Sequence, residues 1–345
     1  MKILIVDYLA HIGHIGYNQH HIEILKQMCN DITYISSAKQ VRLTNVDGIK
    51  ELYFPDRYFK PCSIIPRNIL LRIQDLLKLV YLRRILKKDQ YDKVVFMSYD
   101  IMATGFITFK EECILIAHMN VDGLKYKLKL YLTKKLPSNY KFITLAEYIQ
   151  NFMQSVLPQK DIYLVPHGLT KIYKNDHYQA PFGINRFIYC PISSSCDENI
   201  FFKIVLDEKV QDYLTENGIT LIIKSNIQYE SIRNCKILTS YIDEPTYCNL
   251  MLCSIAVFAP YDTTFNNRIS GVLMECIGNN IPIISCPSSA CFKYAKKYTN
   301  YKMLVQTPHE FIETLNEIEE MKGKQYYRST EDFDAKPYWE GLIKD

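Results

Sequence analysis

The chain has 345 residues, of which 48% are hydrophobic and 23% charged, with 12 Gly and 14 Pro. This composition excludes a disordered, collagen-like or low-complexity protein and is sufficient for two or three domains with buried cores. The formal net charge of +4 is too small to indicate a nucleic-acid-binding protein. The 11 Cys residues include no C-x-x-C pair and no spacing typical of zinc sites, so they predict free thiols in a reducing, cytoplasmic compartment.

Short apolar runs alternate with helical patterns along nearly the whole chain. The runs are continuous rather than alternating, which is typical of strands covered by helices on both faces. Predicted strands lie at 2–6, 32–35, 93–97, 113–117, 140–145, 161–165, 187–190, 219–224, 236–240, 254–258 and 281–285. Predicted helices include 19–29, 67–88, 145–156, 199–216 and 270–279. This order predicts an α/β protein with parallel sheets built from βαβ units.

A polar stretch at 167–186, which contains Pro181 and two Gly, separates two strand–helix series and is typical of a linker. We therefore predict one domain at 1–170, a second at 171–325, and a terminal helical segment at 326–345 that carries the only Trp. No apolar run is long enough for a signal peptide or a membrane-spanning helix, so we expect a soluble or peripheral protein.

Positive charge is concentrated in the first half, since residues 1–150 contain 22 Lys and Arg against 14 Asp and Glu. Most of the excess lies in two segments, 67–88 and 125–135, where Lys and Arg are interspersed with apolar residues. A basic amphipathic helix can lie on an anionic membrane surface, so these segments predict peripheral membrane contact. The alternative is a core helix whose basic face is solvated.

Two loops of the first half carry candidate site residues. The first strand is followed by Gly13 and Gly16, which suit a tight turn before a helix whose free N–H groups can bind an anion. The alternatives are a plain structural turn or a zinc site, although the spacing of the nearby His residues does not favour zinc. His118 directly follows the strand at 113–117, where open α/β sheets bind ligands, and it can donate to a substrate hydroxyl. The alternative is a loop His with a local partner.

The stretch 254–285 carries the largest set of candidate residues. A strand runs to Pro260, a polar loop follows, and Ser270 and Gly271 open a helix. Ser270 can cap this helix, Gly271 allows a phosphate to approach its free N–H groups, and Glu275 can bind a sugar hydroxyl. The alternative is an ordinary capped helix with a solvated Glu.

These features resemble the donor-binding half of GT-B fold glycosyltransferases of the retaining, family 4-like type. The residues that carry the resemblance are, in order, Pro260, Gly271, Glu275, Gly278 and the run 281–284. The run 162–168 is similar to the family's signature between the last strand and the linker, and His118 and the terminal helix with Trp339 also correspond.

The resemblance implies a GT-B fold, with two Rossmann-like domains whose parallel sheets face each other across a cleft and a C-terminal helix that crosses back to the N-terminal domain. Residues 1–170 would bind the acceptor, and residues 171–325 the nucleotide-sugar donor. The implied catalytic residues are His118, Glu275 and Asn267. The implied donor-binding residues are Gly13, Gly16, Ser193, Lys224, Arg268, Ser270 and Gly271. The resemblance implies no metal, because cations, helix ends and backbone donors stabilise the departing diphosphate instead. No cofactor is expected, because the nucleotide diphosphate sugar is a co-substrate.

The chain departs from the family pattern in two places. The family has two Glu eight positions apart, and here Asn267 stands at the first position, where it can hydrogen-bond a hydroxyl but carries no charge. The cations that neutralise the donor diphosphate are absent after the strand at 187–190. Lys224, Arg268 or the amides of 193–195 are the candidates to replace them.

We therefore predict a glycosyltransferase that moves a sugar from a nucleotide diphosphate sugar to a glycan or lipid-linked acceptor in cell-surface polysaccharide assembly. It would be cytoplasmic, with peripheral contact at the inner face of the membrane, and would bind no nucleic acid. The alternatives are a nucleotide-sugar 2-epimerase and a non-catalytic partner protein with the same fold.

Overall fold

The computed structural model of the chain describes residues 1–9, 14–62, 66–118, 120–172, 181–191, 196–225, 231–328 and 330–344. The chain divides into two compact units. Unit 1 is Met1–Gly168 together with Phe333–Asp345, and unit 2 is Leu169–Asp332. Each unit contains one parallel sheet with helices between its strands, which confirms the predicted α/β class.

The sheet of unit 1 has seven parallel strands. They are β1 (Lys2–Asp7), β2 (Asp31–Ser36), β3 (Lys50–Tyr53), β4 (Lys93–Ser98), β5 (Glu112–Ala117), β6 (Tyr140–Thr144) and β7 (Ile162–Leu164), in the order β3-β2-β1-β4-β5-β6-β7. In the central strands Ile3, Val94 and Ile114 have no exposed surface, which explains the continuous apolar runs. The edge strand β3 is largely exposed, so its sequence lacks that signal.

The helices of the first part of unit 1 are α1 (Ile15–Lys26), α2 (Ala38–Thr44), α3 (Arg67–Lys88), α4 (Ile101–Phe106), α5 (Lys127–Lys135) and α6 (Glu147–Val156). α1 begins four residues before the predicted helix at 19–29. Gly16 therefore lies in the first turn of α1, and the prediction that it forms a tight turn is wrong.

α3 buries three polar residues beside three Leu residues, and it exposes several apolar ones. Gln74, Asp75 and Lys78 are buried, and Lys78 Nζ donates to Asp75 Oδ1 at 3.0 Å and to the backbone oxygen of Tyr8 at 2.6 Å. The apolar residues that face outward are Ile69, Ile73, Leu77 and Val80, which are 54%, 41%, 43% and 40% exposed. Their spacing places them on one face of the helix, and we call them the outward stripe. The alternative of a solvated basic face describes part of α3, because exposed cations lie at both ends of the helix. They are Arg67 and Arg72 near its start and Arg83, Arg84, Lys87 and Lys88 in its last turns.

The sheet of unit 2 has five parallel strands. They are β8 (Phe187–Pro191), β9 (Thr220–Lys224), β10 (Cys235–Leu238), β11 (Ala256–Phe258) and β12 (Ile283–Ile284), in the order β10-β9-β8-β11-β12. The helices are α7 (Glu198–Val205), α8 (Glu208–Glu216), α9 (Glu244–Cys253), α10 (Gly271–Gly278), α11 (Ala290–Ala295) and α12 (Pro308–Glu320).

The single helix predicted at 199–216 is wrong, because α7 and α8 are separate. Between them, the Asp207 side chain accepts hydrogen bonds from the backbone N–H groups of Lys209 at 3.0 Å and Val210 at 3.2 Å. This is the geometry of an N-cap, so Asp207 starts a new helix.

Gly278 ends α10 at a point where another part of unit 2 passes very close. A Cβ at Gly278 would lie 2.7 Å from the backbone oxygen of Thr170. Lys171 Nζ donates to the Gly278 carbonyl, and Asn279 Nδ2 donates to the Thr170 carbonyl at 2.9 Å. The packing therefore explains the Gly, and the first residues of unit 2 are fixed to the end of α10.

The last helix, α13 (Lys336–Lys344), packs on unit 1. Trp339 is fully buried, and its Nε1 donates to Nδ1 of His21 at 2.8 Å. Lys93 Nζ donates to the Leu342 carbonyl at 3.3 Å. These contacts confirm the prediction that the terminal helix returns to the N-terminal part of the fold.

Candidate functional site

The carboxyl end of the sheet in unit 1 holds a buried carboxylate, Asp7, the last residue of β1. Asp7 is 2% exposed. Ser98 Oγ donates to its Oδ1 at 2.5 Å, and Asn18 Nδ2 donates to its Oδ2 at 2.7 Å. Burial raises the pKa of Asp7, and these two hydrogen bonds oppose the rise. The carboxylate thus ties α1 to the ends of two neighbouring strands, β1 and β4.

Four His rings and one Tyr ring pack together in the same unit, and we call His14, Tyr17, His21, His118 and His167 the ring cluster. The Tyr17 ring lies 4.2 Å from the His21 ring, 4.5 Å from the His118 ring and 4.7 Å from the His167 ring. His14 stacks on His118 with ring centroids 4.9 Å apart. Among the described residues, His118 Nε2 and the Tyr17 hydroxyl are buried without a hydrogen-bond partner. Such atoms can bind a ligand hydroxyl or an ordered water.

Hydrogen bonds fix the tautomer of His21 within this cluster. The indole N–H of Trp339 can only donate, so His21 Nδ1 accepts and the ring proton lies on Nε2. Nε2 then donates to the carbonyl oxygen of His167 at 3.0 Å. The terminal helix therefore orients His21, and His21 in turn holds the backbone of His167.

Burial keeps the imidazoles of His21, His118 and His167 neutral. It lowers the pKa of His167 to about 4, and it lowers the pKa values of His21 and His118 well below their usual range. Neighbouring imidazoles lower the pKa of His118 further, because a second positive charge nearby would repel the first. At neutral pH these three imidazoles can accept or donate hydrogen bonds but carry little charge.

His118 lies directly after β5, at the carboxyl end of the sheet, as its position in the sequence indicates. Gly13 lies outside the described residues. Tyr17 and His167 are neighbours of His118 that the sequence did not single out, because they come from α1 and from the segment predicted as a linker. Only the fold brings these three rings together.

In unit 2, the segment after β11 leads into a helix start that is open to solvent. The side chain of Ser270 caps α10 by accepting a hydrogen bond from the backbone N–H of Leu273 at 3.2 Å, as predicted for the cap. Gly271 is exposed, and a Cβ at this position would meet no atom of the described residues within 4 Å. The first turn of α10 thus offers free N–H groups and room for an anion.

Glu275 lies one turn further along α10, and a Tyr from α9 holds it. The Tyr247 hydroxyl donates to Oε2 of Glu275. Burial raises the pKa of Glu275, and this hydrogen bond opposes the rise. The Tyr247 ring also contacts the Tyr189 ring of β8, with centroids 6.3 Å apart. The alternative of a freely solvated Glu is therefore wrong. Tyr247 had no distinguishing signal in the sequence.

The predicted cations lie at or after the carboxyl ends of two strands on either side of β8. Lys224 is the last residue of β9, and Arg268 follows a short 3-10 helix, Thr263–Asn267, on the way from β11 to α10. Because β9 and β11 flank β8 in the sheet, both residues belong to the same edge. Asn267 ends the 3-10 helix and is partly exposed, and Ser193 lies outside the described residues.

A second polar network in unit 2 joins the segments that follow β8 and β12. Ser288 Oγ donates to Oδ2 of Asp197 at 2.8 Å, and Cys286 Sγ lies 2.9 Å from Ser288 Oγ. Asp197 also caps α7 by accepting from the Ile200 N–H at 3.2 Å. Within the part of the chain that the structure describes, no three His, Cys, Asp or Glu side chains are arranged to hold a metal ion.

No family model matches the chain, and no curated protein matches it in sequence. Several solved structures are similar in fold. UDP-GlcNAc 2-epimerase from Methanocaldococcus jannaschii is 14% identical, with 100% of this chain and 99% of that chain covered and a TM-score of 0.61. Sucrose-phosphate synthase from Thermosynechococcus elongatus is 12% identical, with 93% and 90% covered and a TM-score of 0.61. HepE from Anabaena, solved in complex with UDP and glucose, is 14% identical, with 98% and 94% covered and a TM-score of 0.60.

These similarities show that the chain has the GT-B fold, the architecture shared by these glycosyltransferases and by the UDP-GlcNAc 2-epimerases. At such low identities they show the fold alone. They do not confirm the narrower resemblance to family 4 or its pair of Glu residues.

We predict that acidification destabilises unit 1 through the ring cluster. A His in an unfolded chain titrates near pH 6.5, whereas folded His167 has a pKa of about 4. Between these values the unfolded chain binds more protons, so the free energy of unfolding falls as the pH decreases, by about 3 kcal/mol from His167 alone. Urea unfolding between pH 7 and pH 4 is expected to show a shallower pH dependence for His167→Gln than for the wild type.

His309→Gln is the matched control, because the His309 side chain in unit 2 is 80% exposed. Its pH dependence should equal that of the wild type. Equal slopes for the wild type and His167→Gln would show that His167 is not a buried neutral group.

Proposed function

We propose that the chain is a glycosyltransferase that transfers a sugar from a nucleotide diphosphate sugar to a glycan or lipid-linked acceptor, without a metal ion. The main support for this proposal comes from α10 in unit 2. The N-terminus of this helix is open at Gly271, and the carboxylate of Glu275, one turn further along, is held in place by Tyr247. An open helix start can bind the phosphates of a nucleoside diphosphate, and an oriented carboxylate can bind the hydroxyl groups at its other end. Retention of configuration is what the family resemblance implies.

The roles of the remaining residues follow from the charge that develops as the sugar leaves. The departing diphosphate gains negative charge, and Lys224 and Arg268 are the cations that would offset it together with the N–H groups of α10. Tyr247 occupies one oxygen of Glu275, so the other oxygen is the one that would accept a ribose or sugar hydroxyl. Asn267 would add a neutral hydrogen bond to the sugar. In unit 1, Nε2 of His118 is suited to a sugar hydroxyl.

A second candidate function is that of a nucleotide-sugar 2-epimerase. It is supported by the similarity to the Methanocaldococcus jannaschii epimerase over 100% of this chain. This chemistry needs a carboxylate or His to move a proton at a sugar carbon. Asp100 is poorly suited, because it accepts from the Ala103 N–H at 3.0 Å and pairs with Arg72. Interconversion of a nucleotide sugar without any acceptor would favour the epimerase over the transferase.

We predict that a nucleoside diphosphate stabilises the protein and that Glu275→Gln abolishes most of this effect. A ligand at 100 times its Kd raises the free energy of unfolding by about 2.7 kcal/mol, which a thermal-unfolding panel of UDP, GDP, ADP and CMP detects. Because Glu275→Gln removes a charged hydrogen-bond acceptor, the Kd of the nucleotide that binds best should rise by about tenfold or more. Tyr247→Phe should have a smaller effect in the same direction, because the carboxylate remains but is no longer held.

The matched control is Glu216→Gln, which removes an exposed carboxylate from the end of α8 in the same unit. It should leave the nucleotide effect unchanged. A chain that none of the four nucleotides stabilises would contradict the transferase and would favour a non-catalytic partner protein.

The apolar surface of unit 1 supports the further proposal that the acceptor is reached at a membrane. Among the described helices, none is both long and apolar enough to cross a bilayer. The outward stripe of α3 is nevertheless exposed, and so are Phe106 of α4 at 65% and Leu128 of α5 at 56%. α4 packs against both α3 and α5, so these residues belong to one region of the unit. Five Lys residues at 125–135 add positive charge to it. An exposed apolar region with basic neighbours is typical of proteins that bind anionic bilayers.

We predict that unit 1 binds anionic vesicles through this region. In a flotation assay with phosphatidylcholine vesicles containing phosphatidylglycerol, Ile73→Ser combined with Leu77→Ser should reduce binding by about tenfold, because two apolar side chains no longer enter the bilayer. Added salt should weaken the binding of the wild type. Leu206→Ser, at a residue that is 56% exposed in unit 2, is the control and should bind as the wild type does. Equal binding by all three proteins would contradict the proposal.

A further inference from the structure

A cavity of about 680 Å³ lies in unit 1 where β2 and β3 end. These strands are parallel neighbours, and Ser36 at the end of β2 pairs with Tyr53 at the end of β3. The chain after β2 forms α2, and the chain after β3 forms the short 3-10 helix Asp56–Tyr58 and continues to Pro61. The cavity is lined by these two segments, so it occupies the edge of the sheet at which open α/β proteins bind ligands.

The lining of this cavity is strongly cationic. Lys39 and Arg42 come from α2, and Lys60 comes from the opposite segment. Lys39 and Arg42 are three residues apart, so they lie on the same face of the helix. Asp56 is the only acid among the lining residues, which leaves a net charge of two positive. No ion pair joins any of the three cations to a carboxylate in the described part of the chain.

The backbone that carries these cations is held in place. Gln74 Nε2 on α3 donates to the Lys60 carbonyl at 2.7 Å, and Lys78 Nζ lies 4.6 Å from the centre of the Phe59 ring. On the other wall, Ser37 caps α2 by accepting from the Gln40 N–H at 3.0 Å. The two walls are therefore parts of the folded unit, and their cations face a common space.

We propose that this cavity is a phosphate-binding subsite that holds the phosphorylated end of the acceptor. A phosphate monoester carries a charge of about −1.5 to −2 at pH 7, which the net lining charge matches, whereas a carboxylate carries only one. The planar guanidinium of Arg42 can bind two phosphate oxygens at once. Phe59 and Pro61 supply an apolar wall for the group that bears the phosphate, and the volume exceeds what a phosphate alone needs. The assignment to the acceptor rests on the proposed function, but phosphate binding itself does not.

The test titrates the full chain with inorganic pyrophosphate by calorimetry in the presence of excess UDP, which occupies the nucleotide site proposed in unit 2. The wild type should bind, and Lys39→Gln combined with Lys60→Gln should bind at least tenfold more weakly, because two charge-assisted hydrogen bonds are lost. Lys50→Gln combined with Lys110→Gln removes the same charge from exposed positions of unit 1 and should bind within twofold of the wild type. Equal affinities in all three proteins, or no binding by the wild type, would overturn the proposal.

Two further arms identify the source of the phosphate. Vesicles with phosphatidic acid carry a phosphate monoester, and vesicles with phosphatidylserine do not. If the Lys39/Lys60 variant loses binding to phosphatidic acid as well as to pyrophosphate, a lipid-borne phosphate is supported, and a loss of pyrophosphate binding alone supports a soluble phosphorylated acceptor. The affinities for UDP, GDP, ADP and CMP are measured in parallel. If none of the four nucleotides binds any of the proteins while the pyrophosphate difference remains, the proposed function fails and the phosphate subsite stands.

Discussion

Every strand pairing described in the two sheets is parallel, and this constraint places the candidate sites of the molecule. In a parallel sheet all strands end at the same edge, so residues far apart in sequence gather there. In unit 1 the edge brings together Asp7, Ser98 and His118, which follow three neighbouring strands. In unit 2 it brings Lys224 together with the segment that leads to Ser270 and α10. The chemistry of each unit is thus a consequence of strand order.

The edge of unit 1 also shows what burial does to polar groups. Asp7, Lys78 and the imidazoles of His21, His118 and His167 are largely removed from water, which disfavours their charged forms. Lys78 is retained there by its hydrogen bonds to Asp75 and to the Tyr8 carbonyl. Asp75 and Lys78 lie on the inner face of α3 together with Leu79 and Leu82, whereas the outward stripe is exposed. One helix therefore supports a buried polar network on one side and presents exposed apolar residues on the other.

The sequence predicts the fold class well, because the buried central strands leave continuous apolar runs such as 113–117, and the capped start of α10 is visible in Ser270 and Gly271. It does not predict β3, whose residues are largely exposed, or the break at Asp207, where a side-chain cap interrupts a continuous helical pattern. The contacts between Tyr17, His118 and His167, and between Tyr247 and Glu275, depend on tertiary packing. No local pattern encodes them. In the sequence, the residues of the outward stripe are simply apolar residues among cations. Which of the apolar residues of α3 are exposed depends on how the helix packs in the folded unit.

The central claim is that a nucleotide binds at the start of α10 in unit 2. Hydrogen–deuterium exchange of the full chain, with and without each of UDP, GDP, ADP and CMP, measures this directly. With the nucleotide that binds, the account predicts slower exchange of the backbone amides at 268–278 and at 244–250, where Tyr247 holds Glu275. Unchanged exchange in both segments with every nucleotide, or protection confined to unit 1, would contradict it.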